Sequence, residues 1–125
     1  MDIVLSLEHT WRSLEAKGYV PIITDKSDIQ VDDHGEWSLA CRLVPCVKDH
    51  WELDFFPNGS NPYLSPEIKA AKQIPTLVHR GSALYGLGMW LKLNKGVEPS
   101  TYTAVGCFLK RCLDEEPFQR SYVFA

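Results

Sequence analysis

Four cysteines fall as two equally spaced pairs, Cys41-x4-Cys46 and Cys107-x4-Cys112, a pattern that invites a tetrahedral zinc site. The spacing works against it. On a helix five residues turn through about 140°, so Cys107 and Cys112 point in different directions. Cys41 falls on a strand and Cys46 in the turn after it. The preferred reading is four reduced thiols packed as small apolar side chains. Asp32-Asp33-His34-Gly35-Glu36 and Asp49-His50-Trp51-Glu52 resemble the halves of a metal centre. As turns at opposite ends of one strand they would lie ~25 Å apart, so each is read as a solvated turn, and no metal or other cofactor is expected. A pair of carboxylates is the remaining acid–base option. In the strand register argued below, Asp28 and Asp54 flank the small side chain of Ala40 at roughly 9–10 Å, the wide edge of the separation used by inverting glycosidases. Nothing in the sequence supplies the pocket such chemistry needs, and two solvated carboxylates are preferred. His79-Arg80-Gly81-Ser82 precedes a predicted helix, where backbone N–H groups favour an anion, yet the glycine pattern of a phosphate loop is missing. No Gly-x-Ser-x-Gly, His-Glu-x-x-His or Gly-x-Gly-x-x-Gly occurs, so the chain carries no recognisable catalytic signature.

These side chains would be positioned chiefly by residues 28–56, which read as a three-stranded antiparallel meander. In Trp37-Ser38-Leu39-Ala40-Cys41-Arg42-Leu43 and Trp51-Glu52-Leu53-Asp54-Phe55, apolar residues alternate with small or polar ones. A turn centred within residues 45–49 places Leu43 opposite Trp51, Cys41 opposite Leu53 and Leu39 opposite Phe55. The other face then pairs Arg42 with Glu52 across the strands. Asp33-His34-Gly35 marks a second turn, setting Val31 opposite Trp37 and Ile29 opposite Leu39. The expectation is one apolar face with Leu39, Cys41, Leu43, Leu53 and Phe55 buried, and one polar face bearing Gln30, Ser38, Arg42, Glu52 and Asp54.

Around the meander the pattern is helical. Residues 3–17 carry Val4, Leu7, Trp11 and Leu14 on one stripe, with Asp2 able to cap the start and Gly18 to end it. Residues 19–23 are extended and interrupted by Pro21. Asn58-Gly59-Ser60 matches a glycosylation sequon but reads as part of a turn-rich run through Pro62. Ser65-Pro66-Glu67 opens a short helix that must end before Pro75. Residues 82–94 alternate like a strand, yet they lack Val, Ile and Thr and finish with basic residues followed by Gly96. A buried helix is favoured, with a central strand as the alternative. Residues 101–113 repeat their apolar positions at the 3.6 period after Pro99-Ser100. An edge strand is expected at residues 120–124. The order predicts an α+β fold, one domain over residues 1–125, with a mainly helical C-terminal half on the apolar sheet face.

The chain has 125 residues, 45% of them hydrophobic and 23% charged, which is ordinary globular composition. Its net charge of −3 offers no general attraction to nucleic acid or anionic membranes. Five Lys/Arg face eleven Asp/Glu in residues 1–60, and eight face five in residues 61–125, so the charge is segregated along the chain. The N-terminus has no basic leader segment and no apolar run is long enough to span a bilayer, which gives a cytoplasmic expectation. The leading functional expectation is a small accessory protein that binds rather than catalyses. Its polar sheet face, Gln30, Ser38, Arg42, Glu52 and Asp54, would meet a basic protein partner. The alternative is a small apolar ligand, or an enzyme, with a pocket between helices and sheet. Trp37, Phe55, Tyr85, Met89 and Trp90 would form its walls and His79 or Arg80 its polar anchor.

Overall fold

A computed structural model describes residues 2–121. Helix α1 (Asp2–Ala16) is built on the expected stripe, with Val4, Leu7 and Trp11 buried against the rest of the molecule. The expected Asp2 cap lies outside the described side chains. Gly18 leaves the helix with φ +87°, a conformation that a residue with a Cβ rarely adopts. The chain then runs into strand β1 (Tyr19–Ile22). Pro21 is tolerated there because β1 has one hydrogen-bonded neighbour and leaves an edge where no N–H is needed.

The fold is α+β, and among the described residues its antiparallel pairings form three separate two-stranded ribbons. Strands β2 (Ile29–Val31) and β3 (Trp37–Leu39) pair with Ile29 opposite Leu39 and Val31 opposite Trp37, the predicted register. The other half of the meander is exchanged for non-local partners. Strand β4 (Arg42–Pro45) pairs with β1, and strand β5 (His50–Leu53) pairs with β6 (Thr76–His79). The connecting turn also has a different centre from the expected one. Lys48 and Asp49 both take positive φ, 52° and 66°, and Val47 and His50 exchange two backbone hydrogen bonds across them, the pattern of a two-residue I′ hairpin. That centre is displaced from the predicted one and shifts the phase of β4. Val44 is buried at 4% exposure, whereas Leu43 is 46% exposed. Leu39, Cys41 and Phe55 are half-buried, and Leu53 is fully buried.

Helix α2 is one turn, Pro66–Lys69, with Ser65 at its N-cap position. Helix α3 (Gly81–Lys95) is the buried helix expected for residues 82–94, closed by Gly96 at φ +65°. Its Gly88 permits the approach of helix α4 (Ala104–Cys112): a Cβ there would sit 2.7 Å from Cys112 Cβ. Helix α4 starts later than predicted, because Thr103 rather than Ser100 accepts the capping hydrogen bond, from the Gly106 N–H at 2.9 Å. Of the expected edge strand at 120–124, Arg120 and Ser121 are non-strand and the remainder lies outside the described residues. Arg120 is buried instead. Its guanidinium binds both carboxylate oxygens of Glu67 at 2.5 and 3.0 Å and lies 5.0 Å from the centre of the Tyr85 ring.

The core joins α1, α3 and α4 to the inner faces of the ribbons. Each tryptophan donates its indole N–H to a distant element. Trp11 bonds Ala83 O, Trp51 bonds Ser82 Oγ, Trp37 bonds Ser6 Oγ and Trp90 bonds Lys26 O. Among the described residues no helix is long and apolar enough to cross a membrane.

Candidate functional site

Strands β4 and β5 leave the I′ turn together but belong to different ribbons. The Val47–His50 bridge is followed in register by Pro45 facing Glu52, where a continuing ladder needs the amide that proline lacks. The strands part there. Between them lies an open groove of about 770 Å³, lined by Arg42, Val44, Val47, Glu52, Asp54 and Leu77 among others. Val44 and Trp51 are its buried apolar contributors, while Val47 and Leu77 are each 69% exposed. At its far end the Arg42 guanidinium holds both oxygens of Asp54 at 2.9 and 2.7 Å. This contact depresses the Asp54 carboxyl below its usual range and raises Arg42 above its own. Glu52 is exposed and makes no ion pair or side-chain hydrogen bond among the described residues.

Three of the five predicted face residues, Arg42, Glu52 and Asp54, therefore converge on one groove. Gln30 and Ser38 do not join them. They line a smaller depression of about 280 Å³ with Asp32, Glu36 and Trp37 on the β2–β3 hairpin. The Asp28–Asp54 row is corrected for a related reason. Ala40 N–H donates to Asp28 O at 2.8 Å, as that register required, but β5 does not continue the sheet. Each carboxylate has local work. Asp28 Oδ2 accepts from the backbone N–H groups of Thr24 and Asp25, forming a capping box with Asp25, while Asp54 holds Arg42.

The proposed ligand-pocket walls are likewise dispersed. Trp37 reaches α1 through Ser6, Trp90 is buried over Lys26, and Tyr85 lies under Arg120. Met89 is half-buried on α3, and Phe55 lines a separate cleft of about 480 Å³ with Phe56, Asp28 and Arg42. Arg80 is held by Glu15 and Asp49 at 2.9 and 3.0 Å. His79 is engaged locally: its Nδ1 accepts the Gly81 N–H at 3.0 Å. That bond places its proton on Nε2, whereas His50 Nδ1 lies 2.9 Å from Lys48 O and must donate. The two rings meet edge to face at 5.5 Å. A metal on His79 Nε2 would force a proton onto Nδ1 against a backbone donor, so the pair is poorly suited to chelation. Among the described residues no three His, Cys, Asp or Glu side chains gather to hold a metal ion. The cysteines are free thiols. Burial pushes Cys112 up and Cys41 up to about 11, the opposite of an activated nucleophile.

Val47, Lys48 and Leu77 were not among the residues expected at the face. The signals were Lys48-Asp49 as a compact turn and Thr76-Leu77-Val78 as a β-prone run beginning after Pro75. No protein-family model and no curated protein matches this chain.

Proposed function

We propose that this protein is a non-catalytic binding module whose contact surface is the β4–β5 groove, and that its partner is a protein presenting basic and apolar side chains together. The observation that carries this reading is the position of the unpaired Glu52 carboxylate in a groove rimmed by Val47 and Leu77, both mostly exposed. Exposed apolar groups beside charge are a common composition for interaction surfaces. Potential reactive groups elsewhere have structural occupations: Asp28 caps, Asp54 pairs, and Cys112 is enclosed. The dispersal of Trp37, Phe55, Tyr85, Met89 and Trp90 removes support from a single apolar ligand pocket.

A photo-crosslinking amino acid placed at Leu77, with Tyr102 as a remote exposed control, tests the proposal in source cells. The expected result is a discrete protein adduct at position 77 that Glu52→Lys abolishes, with none at 102. Equal labelling at both positions, or no effect of Glu52→Lys, would overturn it.

A further inference from the structure

A second cavity, of about 500 Å³, lies on the β6 side of the β5–β6 ribbon, bounded by β6 and by residues 70–73. We propose that it binds a free α-amino acid. Its polar groups present both signs of charge and both hydrogen-bonding characters, and a ligand with an ammonium beside a carboxylate uses them together. The site goes beyond the protein-binding reading of the groove and does not depend on it, although His50 and Leu77 border both.

The two imidazoles set the chemistry, and they have opposite roles. The Gly81 N–H occupies His79 Nδ1, so His79 offers its Nε2–H as a donor. Lys48 O occupies the Nδ1–H of His50, so His50 offers Nε2 as an acceptor. Burial and the charge of Arg80 hold His79 below its ordinary pKa, which keeps it neutral at pH 7. The charged side chains of the cavity repeat the division. Lys72 is exposed and has no ion-pair partner among the described residues. Each oxygen of Glu67 takes one Arg120 hydrogen bond, at 2.5 and 3.0 Å, which fixes the carboxylate and leaves each oxygen a lone pair. The main chain adds a third pair. Arg80 N–H bonds Asp49 O, so alternation turns Val78 towards β5 and Leu77 towards the free edge of β6. There the Leu77 N–H and C=O meet no other main-chain group among the described residues. A simple anion satisfies Lys72, His79 and the Leu77 N–H but desolvates Glu67, His50 Nε2 and the Leu77 carbonyl without partners. A simple cation reverses the mismatch. Either leaves polar groups unpaired, at a cost in affinity that an amino acid avoids. Ala70, Ala71, Val78 and Pro117 form an apolar wall for its side chain.

The test uses the whole protein, uniformly nitrogen-15 labelled, titrated with L-leucine, glycine, isocaproate (the leucine body without its ammonium) and isoamylamine (the body without its carboxylate). The ring nitrogens of His50 and His79 and the Leu77 amide are followed by NMR. Leucine is expected to shift all three and to saturate with a Kd of about 1 mM or below, and each analogue to bind roughly tenfold more weakly or worse. Lys72→Met should weaken leucine by a similar factor and leave isoamylamine unchanged. His50 can take a second proton only at Nε2, among the charged groups of Lys48, Asp49, Glu52, Glu67, Lys72 and Arg80 and beside His79. That proton turns the acceptor into a cation facing the ligand's ammonium, so leucine affinity should fall from about pH 8 to about 5.5. Isocaproate binding tighter than leucine, and strengthening in acid, would overturn the proposal in favour of an anion site. Equal affinity for leucine and both analogues would reduce the cavity to an apolar depression and overturn it too. So would the absence of saturable shifts with both leucine and glycine, the latter having no side chain to be excluded.

Discussion

Removing one member of the Arg120–Glu67 pair should destabilise the protein far more than an ordinary surface charge change. The Arg120 side chain has no solvent exposure, while that of Glu67 retains 22%. Glu67→Gln therefore leaves a buried guanidinium without its counter-charge, a defect of about 3–5 kcal/mol in general. The Asp114 and Glu115 carbonyls still receive Arg120 at 2.7 and 3.4 Å, which places the expected loss near the lower end, ~3 kcal/mol. Arg120→Met removes the charge and the contact with Tyr85 but leaves Glu67 access to water, for a loss of ~2–3 kcal/mol. Urea unfolding of both single variants and the double variant gives the coupling, expected at ~1.5–3 kcal/mol because the second change removes a group already orphaned. In a thermal scan Glu67→Gln should lower Tm by about 12 °C, at roughly 4 °C per kcal/mol for a chain of this size. Two single losses below ~1 kcal/mol that simply add would refute the argument, placing this pair among weak surface bridges.

Gly88→Ala should destabilise despite better helix propensity. The gain of ~1 kcal/mol is outweighed by a Cβ 2.7 Å from Cys112 Cβ, an overpacking that costs ~1–3 kcal/mol beyond it, read from the urea midpoint. Val44→Ala should cost about 1.6 kcal/mol from two buried carbons, with Leu43→Ala well below it; the reverse order would show that the phase of β4 is wrong. Leu53→Ala, at a fully buried site, should cost ~2–5 kcal/mol by the same measurement. His79 is held below its ordinary value first by burial, then by the charges of Arg80 and His50, against the opposing pull of Asp49 and Glu67. The folded state consequently binds fewer protons than the unfolded chain. Its contribution is present above the unfolded pKa of about 6.5 and is lost as pH falls through that value towards the folded one. His79→Gln should flatten the dependence of stability on pH between about 7.5 and 5.5, and an unchanged slope would exclude this source.

Elements with local signals were legible in the sequence: α1 from its stripe, α3 from its terminal residues, and β2–β3 from the turn that sets its register. The partners of β4 and β5 were obscured because alternation identifies faces but does not select among distant strands. Pro45 is the residue that decides between them. Its missing N–H disfavours the local pairing, while β1 and β6 supply edges elsewhere in the chain. The same residue accounts for the groove, so Arg42, Glu52 and Asp54 could be selected by polarity while their neighbours Val47 and Leu77 could not.

The tryptophan hydrogen bonds give the protein an optical property. Each indole is tied to an element remote from its own, so emission from Trp11, Trp37, Trp51 and Trp90 reports four separate dockings instead of local helix or hairpin formation. An intermediate with intact helices and hairpins but none of these dockings would retain its far-ultraviolet dichroism and already fluoresce like solvated indole. Coincidence of the two signals during unfolding would mean that secondary structure is held only as long as those dockings survive.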